Sequence, residues 1–199
     1  IVKKYALHLS DEALSCLEAP TPNHLSNVET HITGSVRALC AAAQDAAQKL
    51  GFQCRMLTDC LDCEAREAGR FLASIARSHQ QTERPLAFFA GGETVVHLTG
   101  QGLGGRNQEL ALAAAPGLRG TQNTAVCSFG SDGTDGPTDA AGGFVDQSSD
   151  AALRAAGLDV PQVLAENDAY HALQRIGGLL MTGPTGTNVN DLAMVLIWR

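Results

Sequence analysis

The stretch from residue 94 to residue 129 reads TVVHLTGQGLGGRNQELALAAAPGLRGTQNTAVCSF and decides the fold class. It begins with a β-branched segment typical of a strand and continues through a glycine-rich turn into an alanine-rich helix over about 106–115. It ends in a second strand at 124–129. Because a strand–helix–strand crossover is almost always right-handed, we expect these two strands to be parallel. The loops at 100–107 and 130–139 are therefore predicted to share one edge of the sheet.

The same alternation continues on both sides of this stretch. Helices are predicted over 34–50, with Ser35 as the N-cap and Gly51 as the stop, and over 63–78, 149–156 and 168–174. Further strands are predicted over 52–57, 86–89, 179–181 and 193–198, with a hairpin turn at 90–93 joining 86–89 to 94–98. Strands alternating with helices indicate an α/β fold, a three-layer α/β/α sandwich with a mixed β-sheet.

Composition narrows the class of protein. Hydrophobic residues make up 44% of the 199 residues, which is enough for a core. The net charge of −7 and the lack of a long basic stretch argue against a nucleic-acid partner. No apolar run approaches the roughly 20 residues of a membrane span. The chain begins with Ile1 and shows no signal-peptide pattern, so we expect a truncated start and a cytoplasmic location.

Residues 1–31 are predicted to be a linker from a missing N-terminal domain, and residues 32–199 to form the organised domain. Pro20 and Pro22 stand too close together for a helix to continue through them. Six cysteines are present, among them Cys60 and Cys63 at C-x-x-C spacing. Because a second cysteine pair is missing, we interpret these two as incidental rather than as a redox or zinc site.

The first loop whose residues could bind a ligand runs from Gly100 to Glu109. It satisfies G-x-G-x-x-G between a strand and a helix, so a dinucleotide site has to be considered. Arg106, however, stands at the helix start, where a cation opposes the macrodipole unless an anion binds beside it. Free backbone N–H groups there could serve the same anion, which favours a transferring phosphate over a solvated glycine turn.

The second loop runs from Phe129 to Asp139 and carries three carboxylates in eight residues. Carboxylates so close together repel one another unless a cation offsets them, and Mg²⁺ is the natural candidate, with Asp132 and Asp135 as its ligands. The alternative is structural, because Asp135 could cap a helix that begins near Pro137. The third loop, 182–191, is rich in hydroxyl, amide and glycine groups, and could bind a polyol or phosphate or be a plain polar turn.

Four motifs together resemble the MOFRL family, the C-terminal domain of one type of glycerate 2-kinase, whose members often carry the label hydroxypyruvate reductase. The resemblance covers nearly everything after Ile32, with the motifs in family order. They are Gly91-Gly92-Glu93-Thr94, Gly104-Gly105-Arg106-Asn107-Gln108-Glu109, the run from Asp132 to Gly142, and Thr185-Gly186-Thr187-Asn188.

The resemblance implies ATP-dependent phosphorylation of D-glycerate to 2-phosphoglycerate with Mg²⁺. It also implies a cleft shared with an N-terminal domain that supplies a lysine, so this chain alone should be inactive. Arg106 matches the arginine that faces the transferring phosphoryl group. The expected substrate- and nucleotide-binding residues are Glu93, Gly102, Gly104, Gly105, Asn107, Thr187 and Asn188.

The sequence departs from the family pattern at one position, and two other classes of function have to be weighed. Val36 stands where the family pattern has Asn, which puts a contribution from that helix start in doubt. An NAD(P)-dependent hydroxypyruvate reductase should carry an acidic residue at the end of the next strand, and 124–129 has none. A non-enzymatic binding module would need neither the acidic loop nor Arg106.

Overall fold

The computed structural model describes residues 1–21, 23 and 25–199, so Pro22 and His24 of the predicted linker lie outside the described residues. The chain divides into two compact units, 1–33 and 34–199. The first contains helix α1, Asp11–Glu18, whose first turn is capped by the Ser10 hydroxyl accepting from the Ala13 N–H at 3.2 Å. Whether residues 1–31 act as an interdomain linker stays a prediction.

The second unit alternates helices and strands. After α2 (Val36–Lys49) come β1 (Gln53–Leu61), α3 (Ala65–Ser78), β2 (Leu86–Gly92), α4 (Arg106–Ala114) with a 3₁₀ turn (Ala115–Leu118), and β3 (Thr124–Gly130). The remainder is β4 (Gly142–Asp146), α5 (Ser149–Ala155), α6 (Val160–Ala165), α7 (Ala169–Arg175), β5 (Leu179–Leu180) and β6 (Asp191–Ile197).

The strands form one mixed sheet in the order β1-β2-β6-β3-β4-β5. Strands β1 and β2 pair in parallel, and the other neighbours in this order are antiparallel. Strand β2 shows how the sheet is buried on both faces. Phe88 packs into the cluster formed with α3 and α4, whereas Phe89 packs into the cluster formed with α2. Helices on both faces confirm the predicted three-layer α/β/α sandwich.

The start of α2 follows the sequence closely. Ser35 is the N-cap and accepts from the Ala38 N–H at 3.2 Å, and Gly51 follows the helix with a φ of +89°, as a terminating glycine should. Val36, the departure from the family pattern, is the first residue of α2 and packs against the core on that face.

The predicted hairpin after residue 89 is wrong. Strand β2 continues through Gly92, and both of its edges are occupied, by β1 on one side and β6 on the other. The segment 94–98 therefore has no free edge to pair with. It leaves the sheet and makes a single parallel bridge between Val95 and Glu64.

One strand and one α-helix of the second unit were not predicted, namely β4 and α6, and neither was the 3₁₀ turn after α4. Strand β4 begins with two glycines, which are poor strand formers, so the segment looks like loop in sequence. Its glycines are required by packing, since a Cβ on Gly142 would collide with the backbone of Ser128 on β3. Among the described residues, no helix is long and apolar enough to cross a membrane.

Candidate active site

Three strand ends converge at one edge of the sheet. Strands β2 and β3 are both antiparallel to β6, so their carboxyl ends flank the first residue of β6. Asp191 is thus paired in register with Gly92 on one side and Gly130 on the other. The loops at 100–107 and 130–139 also meet here, because Gly105 packs directly against Asp135. The prediction that these loops share an edge is confirmed, although the segment 94–98 does not belong to the sheet.

Arg106 reaches across this edge from the first turn of α4. Its Nε and Nη2 donate to the two carboxylate oxygens of Asp191 at 2.5 and 3.0 Å, and its Nη1 lies 3.2 Å from Glu93 Oε1. The bonds to Asp191 raise the pKa of the Arg106 guanidinium above its usual value. Because Asp191 is buried while the arginine side chain remains 34% exposed, the pair holds the guanidinium in a fixed orientation with part of it facing solvent.

A cleft of about 780 Å³ opens beside Arg106. One wall is the segment from Glu93 to Leu98, and the opposite walls come from the glycine loop before α4, from Gly136 and Pro137, and from the start of α7. Five of the predicted site residues line this cleft: Glu93, Gly102, Gly104, Gly105 and Arg106.

Asp135 has a different place from the one predicted. It is 2% exposed, and its carboxylate accepts from the backbone N–H groups of Asn107 at 3.1 Å and Gln108 at 2.8 Å. Burial raises the pKa of this carboxyl, while the N–H groups act in the opposite direction. Asp135 therefore caps α4 from another loop and is not placed as a magnesium ligand. Nor does it cap a helix at Pro137, because residues 136–139 form turns and bends.

This capping corrects a second expectation, that the N–H groups at the start of α4 are free for a phosphate. The Asp135 carboxylate is already the anion at that helix end. Gly105 makes this possible, because a Cβ at that position would collide with the carboxyl group. The guanidinium of Arg106 remains the group that can meet a ligand phosphate.

Asn107, predicted to bind substrate, is buried beneath the cleft. Its Nδ2 donates to Asp135 Oδ1 at 3.2 Å, and its Oδ1 accepts from the Ser128 hydroxyl at 2.5 Å. Both polar ends of the side chain are therefore used to hold Asp135 and β3 in place.

The remaining predicted residues belong to a second group around the third loop. Asn188 is exposed and donates to Asp132 Oδ2 at 3.4 Å, while Thr187 lies beside it in the same loop. Asp132 is only partly buried, and its other oxygen accepts from the Thr134 N–H at 3.0 Å. None of these three side chains lines the cleft next to Arg106.

Sequence reasoning missed three polar residues at the site: Asp191, Glu109 and Asn167. Asp191 is the last residue of the third loop. An acidic residue just before the last predicted strand was the feature of the sequence that could have indicated a partner for Arg106. Glu109 and Asn167 both line the cleft, are buried, and bond to each other at 3.2 Å. Burial raises the pKa of the Glu109 carboxyl. The pairing of residues 58 positions apart leaves no mark in a single sequence.

The cysteines give a separate prediction. Cys16, Cys60 and Cys63 are exposed free thiols, whereas Cys40 and Cys127 are buried, and burial raises the pKa of Cys127 to about 12. We expect a thiolate-specific reagent such as Ellman's to label the three exposed thiols quickly in the folded protein, and Cys127 only after unfolding. Peptide mapping of the labelled sites is the measurement. Prompt labelling of Cys127 without denaturant would contradict the burial described here.

Comparison with known proteins places these features in a family. The model of the MOFRL family matches residues 86–191. The D-glycerate 2-kinase of Thermotoga maritima is 52% identical over 201 residues, covering 99% of this chain and 48% of the relative. The glycerate 2-kinase of Pyrococcus horikoshii is 41% identical over 196 residues, covering 96% of this chain and 44% of the relative.

A solved structure shows the same architecture. The crystal structure of a glycerate kinase from Thermotoga maritima superposes with a TM-score of 0.89 at 52% identity, covering 98% of this chain and 48% of that one. The chain thus spans about half the length of the relatives it matches. Because the matched region contains Glu93, the glycine loop, Arg106, the acidic loop and Asp191, the chain belongs to the MOFRL family.

Proposed function

We propose that residues 32–199 are the C-terminal catalytic domain of a glycerate 2-kinase, which transfers a phosphoryl group from ATP to the 2-hydroxyl of D-glycerate. The observation that carries the proposal is the guanidinium of Arg106, fixed by buried Asp191 at the side of a cleft large enough for small-molecule substrates. The names of the two relatives cited above support the same reaction.

The chemistry suits phosphoryl transfer. In that reaction negative charge spreads over the equatorial oxygens of the moving group, and the protein contributes mainly positioning and positive charge. A guanidinium already oriented by two bonds to Asp191 loses little side-chain freedom when it meets the phosphoryl group. Glu93 holds the third nitrogen from the opposite side of the cleft and limits the direction in which Arg106 can point.

The acidic loop offers one carboxylate, that of Asp132, as a ligand for magnesium. Mg²⁺ in kinases is commonly held by one or two carboxylates together with the phosphates of the substrate. Asp132 is partly exposed and fits that role, whereas the Asp135 carboxylate is consumed by the α4 cap. Among the described residues, no group of three or more acidic, histidine or cysteine side chains could hold a metal by itself. When bound, the ion would offset charge on the phosphates, with Asn188 orienting Asp132.

The N-terminal domain of the same enzyme is the proposed partner. The relatives are about twice as long as this chain, and positive charge is needed on both sides of the moving phosphoryl group. Arg106 is the one cation among the residues that line the described cleft. A lysine from the second domain would supply the other side. Thr187 and Asn188 lie outside the cleft lining, in the exposed third loop, so they would contact the glycerate hydroxyls only where the substrate extends beyond that lining.

The hydroxypyruvate reductase alternative is disfavoured by the glycine loop itself. A dinucleotide fold leaves the helix N-terminus and the loop N–H groups open to pyrophosphate. Here the Gly100 N–H donates to Asn167, the Gly102 N–H donates to Glu166, and Asp135 occupies the helix end. The place of the pyrophosphate is therefore taken by protein groups.

The test compares the full-length enzyme, meaning the natural protein that contains this chain, with the 199-residue chain alone. With ATP, Mg²⁺ and D-glycerate, we expect the full-length enzyme to form 2-phosphoglycerate, and the chain alone to show less than about a tenth of that rate because one side of the cleft is missing. Reduction of hydroxypyruvate with NADH or NADPH serves as the control reaction. Reductase turnover without kinase turnover would overturn the proposed activity, and near-equal kinase rates would overturn the two-domain site.

A further inference from the structure

Asn167 stands at the junction between α6 and α7, beneath the glycine loop. It is 6% exposed, and its backbone has a φ of +55°, the left-handed conformation that asparagine tolerates better than most residues. A buried amide held in this conformation must find partners for both of its polar atoms.

The side chain of Asn167 joins three parts of the cleft wall. Its Oδ1 accepts from the backbone N–H groups of Thr99 at 2.8 Å and Gly100 at 2.9 Å, which start the glycine loop. Its Nδ2 donates to the carbonyl of His97 at 3.2 Å and to Glu109 Oε2 at 3.2 Å. One amide thus links the loop, the segment before it, and the first turn of α4.

Glu109, one of the partners of Asn167, is itself held in place by an ion pair. Its other oxygen, Oε1, lies 3.0 Å from Arg66 Nη2, and Arg66 in turn pairs with Glu64 at 2.8 Å. The Glu109 side chain is 3% exposed. Because Arg66 occupies one carboxylate oxygen, the other faces Asn167 and requires a donor there.

The neighbours of Asn167 also bond to the glycine loop. The Gly102 N–H donates to the Glu166 carbonyl at 2.8 Å, and the Leu103 N–H donates to Asp168 Oδ1 at 2.9 Å. A Cβ on Gly100 or Gly102 would collide with the backbone of residues 166–168. The path of the loop from Thr99 to Leu103 is therefore set by the α6–α7 junction.

We propose that Asn167 is a positioning residue, which fixes the 99–103 loop against α4 through Glu109 and so places the cleft wall relative to Arg106. The proposal rests on the kinase function proposed above only for its effect on turnover. The effect on the loop itself does not depend on the reaction. Asn167 lines the cleft but acts here through its bonds to protein groups.

The first test replaces Asn167 by glycine in the full-length enzyme. Glycine accepts a φ of +55° without strain, so the variant removes the side-chain bonds without straining the folded backbone. Asn123→Gly is the matched control, because Asn123 also has a positive φ, of +49°, but precedes β3 away from the cleft. We expect faster hydrogen exchange at the Thr99 and Gly100 amides in Asn167→Gly, and a kcat/KM lower by about 10- to 10²-fold. Asn123→Gly should resemble the wild type in both.

The second test exchanges donor and acceptor. Asn167→Asp places a carboxylate against Glu109 and should loosen the loop, whereas Asn167→Asp combined with Glu109→Gln restores one donor between the two side chains. We expect Asn167→Asp to raise amide exchange at Thr99 and Gly100 much less in the Glu109→Gln background than in the wild type. Because the amide oxygen of the introduced glutamine can still accept from Arg66, that contact is kept.

The outcomes separate the two proposals. Wild-type exchange at Thr99 and Gly100 in Asn167→Gly, or an equal effect of Asn167→Asp in both backgrounds, overturns the positioning role. If Asn167→Gly does not fold, the exchange measurement on Asn167→Asp and the double variant decides. A loop response in an enzyme that does not phosphorylate glycerate supports the positioning role and overturns the kinase reaction alone.

Discussion

Arg106→Ala in the full-length enzyme is expected to lower kcat by about 10²- to 10³-fold, the usual cost of removing one electrostatic donor from a transition state. The reason is geometric. Arg106 is held by Asp191 on one side and Glu93 on the other, and its guanidinium is the fixed positive charge on this wall of the cleft. The measurement is the steady-state rate of 2-phosphoglycerate formation at saturating ATP and D-glycerate.

Loss of folding must be separated from loss of chemistry. Arg106→Ala leaves the buried Asp191 carboxylate without its bidentate partner, which lowers the free energy of unfolding. Adding Asp191→Asn removes that orphan charge, so the double variant should recover stability but not turnover. Arg119→Ala is the control outside the cleft, since Arg119 also pairs with a buried acid, Asp150, which keeps Arg154 at 3.1 Å as a second partner. Normal turnover in Arg106→Ala, or an equal loss in Arg119→Ala, would remove Arg106 from the mechanism.

Asp135→Ala is expected to lower the free energy of unfolding by about 3 kcal/mol, because it leaves two buried N–H groups at the start of α4 without an acceptor. These are the backbone N–H groups of Asn107 and Gln108, and the Asn107 side chain loses the same partner. Urea unfolding followed by circular dichroism measures the change.

Asp132→Ala is the matched comparison three residues away. The Asp132 side chain is partly exposed, and among the described residues it bonds to the Thr134 N–H and, weakly, to Asn188, so its removal should cost less than about 1 kcal/mol of stability. If it holds Mg²⁺, its removal should instead raise the Mg²⁺ concentration needed for half-maximal activity. Equal losses of stability in the two variants would contradict the different roles assigned to these acids.

Local patterns in the sequence were enough for most of the fold. Ser35 and Gly51 delimit α2 through side-chain capping and a left-handed turn, both of which depend on a few neighbouring residues. The alternation of apolar strands with amphipathic helices predicted the sandwich for the same reason, since each period is local. The grouping of Arg106 with the acidic loop was predicted from a crossover between 94–98 and β3, whereas in the structure the strand before α4 that runs parallel to β3 is β2.

The failures concern groups whose neighbours are distant in sequence. The segment 94–98 has strand-forming residues, but both edges of β2 were already paired, which only the complete sheet reveals. Asp135 looks like a metal ligand in its own loop and becomes a helix cap because α4 begins beside it. Asp191 and Asn167 gained roles from partners 85 and 68 residues away.

The sequence by itself therefore determined most of the elements, the fold class and the loops that gather at one sheet edge, because propensity and capping act over short stretches of chain. Only the tertiary structure decided which polar atoms are already bonded to protein and which remain available to a ligand. Hydrogen-bond partners are determined by proximity in space. A carboxylate that lies beside two buried N–H groups accepts from them and is then not available to an ion in solution. That choice left Arg106 facing the cleft and placed Asp135 beneath it.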